Sequence, residues 1–396
     1  MTLTLLLDLD DTLLNTNMDS FIPAYFQALA RELTPQIAPE KMFRALISGT
    51  GLMNESDDFS RTLEGVFNAD FYPQINVPRE EMESAIENFY DNVFPTLAGL
   101  TSKKADAKPF VDWALAQGIR IAIATDPLLP RKATHHRLRW AGFEPEQFEL
   151  VSTFDHFHFS KTHPAYYAEV LGRMGWPEGP VLMVGNDMER DILPAQKLGL
   201  ATYHIDDEPA SRSGPEAGGR GNLQDLRLWL ESTDLASLTP SFKSIDSLLG
   251  ILSATPAVLN GLSYDLAPLV WTHEPTPDDW SFAELICHMR DTEREIHQMQ
   301  IKLFMEQDEP FIPRPDTSIW ASQRDYLHED GMTALREFND ARRGTLALLK
   351  NIEKSEWTRK ARHAIFGPTN FLEVISFIAD HDRMHIQQAW STLKKM

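Results

Sequence analysis

The 396-residue chain has a single cysteine, Cys287. An intrachain disulfide is therefore excluded, and so is a zinc cluster built on several thiolates. Basic surface is scarce as well. The chain has 37 Lys and Arg against 58 Asp and Glu, and its basic runs, Lys103-Lys104, Arg342-Arg343 and Lys394-Lys395, are only pairs. Such a chain repels phosphate backbones, so no nucleic acid is expected as a partner. The sequence shows no uninterrupted apolar run of about 18 residues, the length a bilayer span needs. The opening MTLTLLLDLDD has no basic residue ahead of its apolar run, and Asp8 interrupts that run, so it does not read as a signal peptide. These absences predict a soluble, cytoplasmic protein with no membrane partner. Apolar residues at 42% and charged residues at 24% give an ordinary globular balance, and the length suits roughly two or three domains.

Two kinds of pattern occupy the chain. Short apolar runs at Leu3–Leu7, Ile121–Ala124, Val181–Val184 and Ala201–Ile205 alternate with helical spacing. That pattern predicts a Rossmann-like α/β domain with a parallel sheet buried on both faces. About 100 residues between the first two runs show no strand signal. Phe21–Leu33, Pro39–Ile47 and Arg79–Val93 are helically spaced instead, which predicts a helical insertion after the first strand. Residues 206–222 read as a loop, Leu223–Leu230 as a closing helix and Glu231–Pro240 as a linker. Beyond it the pattern is helical only, at Phe242–Leu252, Thr255–Leu262, Ser281–Met305, Met332–Ile352 and Asn370–Leu393. An all-α, four-helix-type bundle is expected there.

The first domain ends three of its predicted strands in chemistry. Asp8-Leu9-Asp10-Asp11-Thr12 follows the first run. Asp8 can attack phosphorus, while Asp10 protonates the leaving oxygen and later deprotonates water. Taken alone, the two acids equally suit the cap of a strand–helix turn. Thr125 ends the run IAIAT, where a hydroxyl can bond a phosphoryl oxygen or simply cap a turn. Lys161 can neutralise a phosphate and the attacking carboxylate, or be solvated at a helix start. Asp187 and Asp191, in GNDMERD after the run VLMV, offer hard oxygen ligands for Mg²⁺, or a Gly-Asn turn with acids on the next helix.

Taken together and in this order, the four elements resemble the haloacid dehalogenase-like (HAD) superfamily over about residues 1–233. The resemblance implies Asp8 as nucleophile and Mg²⁺ ligand. It implies Asp10 as acid/base with its backbone carbonyl on the metal, Thr125 on the phosphate, and Lys161 on both phosphate and Asp8. It puts Asp187 on the metal and Asp191 behind Lys161 or a metal-bound water. It also implies a core domain of residues 1–15 and 98–233 with a specificity-setting cap at 16–97. Asp10 favours phosphoryl transfer over carbon–halogen cleavage, because a halide leaves without a proton. Asp126 and Thr162 depart from the pattern, where Asn and Pro are common.

In the second domain, Ser281-Phe282-Ala283-Glu284 is a capping-box start for a helix carrying His288. On the last helix His381 and His385 are i, i+4 neighbours on one stripe with Phe371, Val374, Phe377 and Ile378. The three imidazoles suit Zn²⁺ or Ni²⁺. They equally suit hydrogen-bonded core histidines facing Asp380 or Asp382. His297, nine residues from His288, is expected on the opposite face. Cys287 reads as a packed residue. The elements DWS, AELICHMRDTE and HDRMHIQQ resemble the DinB-like bundle superfamily over about residues 243–396. That superfamily includes thiol-dependent transferases, and its metal triad falls on His288, His381 and His385. The expected organisation is the HAD-like core and cap, a linker at 234–242 and a metal-binding bundle at 243–396. The expected activity is Mg²⁺-dependent hydrolysis of a small phosphorylated metabolite. The alternatives are a metal-dependent thiol transferase in the bundle, or a sensing or homodimerisation role for it.

Overall fold

Leu5, Leu6 and Leu7 have no exposed surface, because the strand they form is paired on both edges and covered on both faces. In the computed structural model, residues 2–33, 37–206, 218–264, 266–276 and 279–395 are described. The chain forms two units. The first comprises Met1–Val170 and Pro177–Ser241, and the second Phe242–Met396 with Leu171–Trp176.

The first unit is built on strands β1 (Thr4–Leu7), β4 (Arg120–Ile123), β5 (Leu150–Val151), β6 (Val181–Gly185), β7 (Ala201–Ile205) and β8 (Gly219–Gly221). They form one sheet in the order β5-β4-β1-β6-β7-β8 with every pairing parallel. The chain order reverses on either side of β1, the place where open α/β sheets bind ligands beyond their carboxyl ends. Leu7 lies opposite Ile123 on one side and Val184 on the other, so Asp8 leaves the sheet level with Ala124 and Gly185.

Between β1 and β4 the chain departs and returns through an antiparallel ribbon, β2 (Leu14–Thr16) paired with β3 (Thr101–Lys103). The insertion beyond that ribbon is helical, with helices Met18–Leu33, Pro39–Glu55, Leu63–Ile75 and Arg79–Asn88. They share an aromatic-rich core of Phe21, Tyr25, Phe71, Phe89 and Phe94. The ribbon carries too few apolar residues to have been read as strands. Part of the expected loop 206–222 is strand β8; residues 207–217 lie outside the described residues. The expected linker is also partly built in: Leu235–Leu238 is a 3-10 turn, and Leu238 is buried in the core of the first unit.

The second unit holds four long helical segments. They are Ile245–Ser263, Phe282–Glu306 (interrupted by a π turn at Glu293–His297), Gly331–Lys350 and Phe371–Lys394. Leu285, Ile286, Phe338 and Ile386 are among the side chains that fill the space between them. The expected pair of helices at 242–262 is one helix, with Pro256 inside it. Proline removes the N–H that would bond the carbonyl four residues earlier, that of Leu252. The buried guanidinium of Arg342 supplies the missing donor, Nη1 reaching the Leu252 carbonyl at 3.0 Å. By length and mean hydropathy this helix is also apolar enough to cross a membrane, although polar residues such as Asp246 and Asn260 interrupt it. Most of it is buried inside the unit, as in the core helix of a bundle. The unit is not wholly helical. A hairpin of β10 (Lys360–His363) and β11 (Gly367–Asn370) pairs with β9 (Phe311–Ile312). These strands are two to four residues long, the two of the hairpin are mostly polar, and together they carry little apolar periodicity.

Candidate active site and candidate metal centre

The turn after β1 is fixed by its own backbone. Asp11 adopts a left-handed conformation at φ 55°, its N–H donates to the Leu14 carbonyl, and its Oδ1 accepts from Thr16 N. A non-glycine residue there is uncommon. Asp8 is buried and accepts a 2.7 Å hydrogen bond from Lys161 Nζ through Oδ1. The same ammonium pairs with the buried Asp191. Burial opposes the charge of Lys161, but Asp191 and Asp8 overcome it and hold its pKa well above the usual lysine range. Burial pushes the Asp191 carboxyl up to about 7, with Lys161 opposing that rise.

Asp191 sits in a π turn, Met188–Ile192, entered through Asp187. Asp187 Oδ1 accepts from Glu189 N at 2.8 Å and Arg190 N at 3.1 Å. Asp191 Oδ2 accepts from Asp187 N at 2.9 Å. Gly185 is required just before: a Cβ there would meet Asp191 Oδ2 at 2.2 Å. Thr125 is held by its carbonyl, which accepts from Ser152 Oγ at 2.6 Å and Tyr166 OH at 2.8 Å. Asp8, Asp10, Thr125, Lys161, Asp187 and Asp191 all line one cavity of about 680 Å³.

Two buried or half-buried cations at this site escaped the sequence reading. Arg137 pairs with Asp10 at the cavity wall. Burial lowers its pKa to about 10, and Asp8 partly restores it. Arg190 pairs with Asp126, whose Oδ1 also accepts from Lys161 N at 3.2 Å. Asp126, the departure from the common Asn, is thus matched by a nearby arginine. The donor set here is all oxygen, as a hard divalent ion requires. Both oxygens of Asp191 are engaged within the protein, by Lys161 and by Asp187 N. Asp187 Oδ2 takes no hydrogen bond among the described residues.

In the second unit, His288, His381 and His385 present ligand atoms within 4.8 Å of one another. His288 Nε2 and His381 Nε2 are 3.3 Å apart. Burial, reinforced by the neighbouring imidazoles, lowers the pKa of His288 to about 3 and of His385 to about 2. The rings are neutral, as metal ligation demands. His385 Nδ1 donates to Gln388 Oε1 at 3.1 Å, which leaves its Nε2 as the lone-pair nitrogen. The alternative of histidines satisfied by acidic partners is not what the geometry gives. Asp380 pairs with Arg383, and Asp382 Oδ1 is 3.9 Å from His381 Nδ1, beyond hydrogen-bond reach. The Nδ1 atoms of His288 and His381 are buried without a hydrogen-bond partner. Convergent neutral imidazoles of this kind fit a borderline transition metal.

His297 overturns its expected position. Nine residues at about 100° each should turn it away from His288. The π turn at Glu293–His297 absorbs one residue and rotates it back. Its ring lies 5.1 Å from that of His381, centroid to centroid, and its Nδ1 donates to the buried Glu293 at 3.0 Å. Glu293 and Asp382 in turn share the fully buried Arg342, whose Nη2 reaches Glu293 at 2.8 Å and whose Nη1 reaches Asp382 at 2.5 Å. In the sequence Arg342 appeared only as half of a basic pair. Burial pushes the Cys287 thiol up to about 12, consistent with a packed, inert side chain.

Residues 2–199 match the model of the haloacid dehalogenase-like hydrolases, half of the chain. The chain belongs to this family. Residues 251–389 match the DinB superfamily. Among curated relatives, the glyceraldehyde 3-phosphate phosphatase of Methanocaldococcus jannaschii is 31% identical over 90 residues, 23% of this chain and 38% of its own length. Pyrophosphatase PpaX of Bacillus pumilus is 27% identical over 202 residues, 51% of this chain and 82% of its own length. Among solved structures, a HAD phosphatase from Thermococcus onnurineus aligns over 58% of this chain and 98% of its own, at 20% identity and TM-score 0.39. YfiT from Bacillus subtilis, which has an unusual four-helix bundle topology, aligns over 40% of this chain and 90% of its own, at 17% identity and TM-score 0.36.

Proposed function

We propose that this HAD-like hydrolase is a Mg²⁺-dependent phosphatase acting on a phosphomonoester. The observation that carries the reading is Asp8 at the carboxyl edge of the central strand, bonded to Lys161 in a cavity shared with Thr125 and Asp10. The two curated relatives, named as phosphatases of pyrophosphate and of glyceraldehyde 3-phosphate, support the reaction type. Asp8 attacks phosphorus in line, an Asp8 Oδ–P bond forms and the ester P–O bond breaks. Asp10 gives its proton to the departing oxygen, and Arg137 stabilises the carboxylate that remains. Asp10 then takes a proton from water, whose oxygen attacks phosphorus, breaks the bond to Asp8 and releases inorganic phosphate. Thr125 and Lys161 bind phosphoryl oxygens, and Asp191 keeps Lys161 in place. Asp8, the Asp10 carbonyl and Asp187 would hold Mg²⁺, with Asp191 supporting that site. The ion supplies charge neutralisation at the phosphoryl group.

Phosphate release from a panel of small phosphomonoesters, with Mg²⁺ and with Asp8→Asn as control, tests this reading. Activity in the wild type only is expected; an equally active Asp8→Asn protein refutes the assignment.

For the second unit we propose a transition-metal site, Zn²⁺ or Ni²⁺, at His288, His381 and His385. The convergence of the three imidazoles within 4.8 Å and the lowered basicity of the cluster support it. Metal analysis of the intact chain beside His381→Ala tests it, stoichiometric metal being expected only in the former.

A further inference from the structure

We infer that the alcohol released by this phosphatase carries no anionic group and is predominantly apolar, an aromatic or medium-chain alkyl group that fills the cap side of the active-site cavity. The inference rests on the phosphatase reading and adds to it the substrate class.

Three observations support it. The first is size and lining. The cavity of about 680 Å³ runs from the catalytic acids into the helical insertion, where Ile22, Phe26, Leu29, Leu46, Met53 and Phe71 form its wall. That volume lies within the range of about 300–1,000 Å³ of sites that enclose whole organic ligands. Inorganic pyrophosphate or a three-carbon phosphate would leave the apolar end unfilled.

The second is that two phenols buried at the cap end already satisfy each other. The hydroxyls of Tyr25 and Tyr90 hydrogen-bond to each other at 2.7 Å. Burial keeps both phenols protonated, Tyr25 with a pKa near about 12. Asn54 Oδ1 accepts from Arg190. A leaving-group hydroxyl bound by either phenol would have to break this pair of phenols, at the cost of an unsatisfied buried group.

The third is charge. Among the described residues, the lining contains four cations, Arg79, Arg137, Lys161 and Arg190. Each already has a carboxylate partner: Glu64, Asp10, Asp8 with Asp191, and Asp126 respectively. Carboxylates outnumber cations in the lining by nine to four. No cation remains to receive a second phosphate or a carboxylate on the leaving group, and the surplus acids repel one.

The test is a homologous series of ethyl, butyl, hexyl and octyl monophosphates, with pyrophosphate and glyceraldehyde 3-phosphate alongside. Phosphate release is read as kcat/KM on the full chain with Mg²⁺. Burial of each added methylene should raise kcat/KM about fourfold until the cavity is full. Pyrophosphate and glyceraldehyde 3-phosphate should fall below hexyl phosphate. A second measurement uses Leu46→Trp, which occupies part of the cavity. Its octyl-to-ethyl ratio of kcat/KM should drop about tenfold from the wild-type ratio. Because that ratio is internal to each protein, it is insensitive to the fraction folded. A flat or falling chain-length profile, or pyrophosphate turned over faster than octyl phosphate, overturns the apolar leaving group and leaves the Asp8 chemistry standing. Absence of phosphate release from every compound removes both.

Discussion

The two sites solve opposite electrostatic problems. In the first unit the charges themselves line the cavity, and one ammonium, Lys161, is shared by Asp8 and Asp191. In the second the residues at the centre are neutral imidazoles, and the charges lie one layer behind, in Arg342, Glu293 and Asp382. A site that grips an anion while attacking it needs both signs at the surface of the cavity. A site of nitrogen donors needs its ligands deprotonated, so positive charge is kept off the rings and spent on holding their neighbours. Damage should therefore read out as lost turnover in the first unit and as lost folding or lost metal in the second.

The sharpest break is Asp8→Asn. Phosphate release is expected to fall at least about 10⁴-fold, because no other side chain replaces the attacking oxygen. Circular dichroism and the metal content of the second unit should be unchanged. Next is Arg342→Met, which leaves Glu293 and Asp382 buried without their shared cation. A loss of about 3–5 kcal/mol is expected, localised to the second unit and measured by denaturant unfolding. Third is His381→Ala. Zinc or nickel affinity, measured by chelator competition, should fall by more than about 100-fold, since even a supporting residue commonly costs about 10–100-fold. Phosphate release at saturating Mg²⁺ should not change. The mildest is Asp126→Asn, which keeps an acceptor for Lys161 N but weakens the pairing with the partly exposed Arg190. A change of about fivefold or less in kcat/KM is expected. A loss comparable to Asp8→Asn would place Asp126 in the chemistry itself.

Much of the first unit was readable because its features are local. Leu3–Leu7 is a continuous apolar run ending in Asp8, and Val181–Val184 runs directly into Gly185 and Asp187, so strand and chemistry are adjacent in sequence. Three of the four inserted helices were readable from their spacing; Leu63–Ile75, with an apolar residue on most of its faces, was not. What escaped depends on distant partners or on a break in periodicity. Arg137 and Arg342 look like surface residues until Asp10 and Glu293, 127 and 49 residues away, are brought beside them. His297 was misplaced because a π turn, which no residue type announces, shifts the helix by one position. The ribbon and hairpin strands are too short and too polar for a period of two to stand out.

Pro256 shows how tightly the bundle is adjusted around its buried cation. An alanine there would look harmless by helix preference alone. Its amide would share the oxygen of Leu252 with the guanidinium proton that now has that lone pair to itself. The ring that weakens one turn of helix thus leaves a carbonyl open to the cation that joins Glu293 and Asp382.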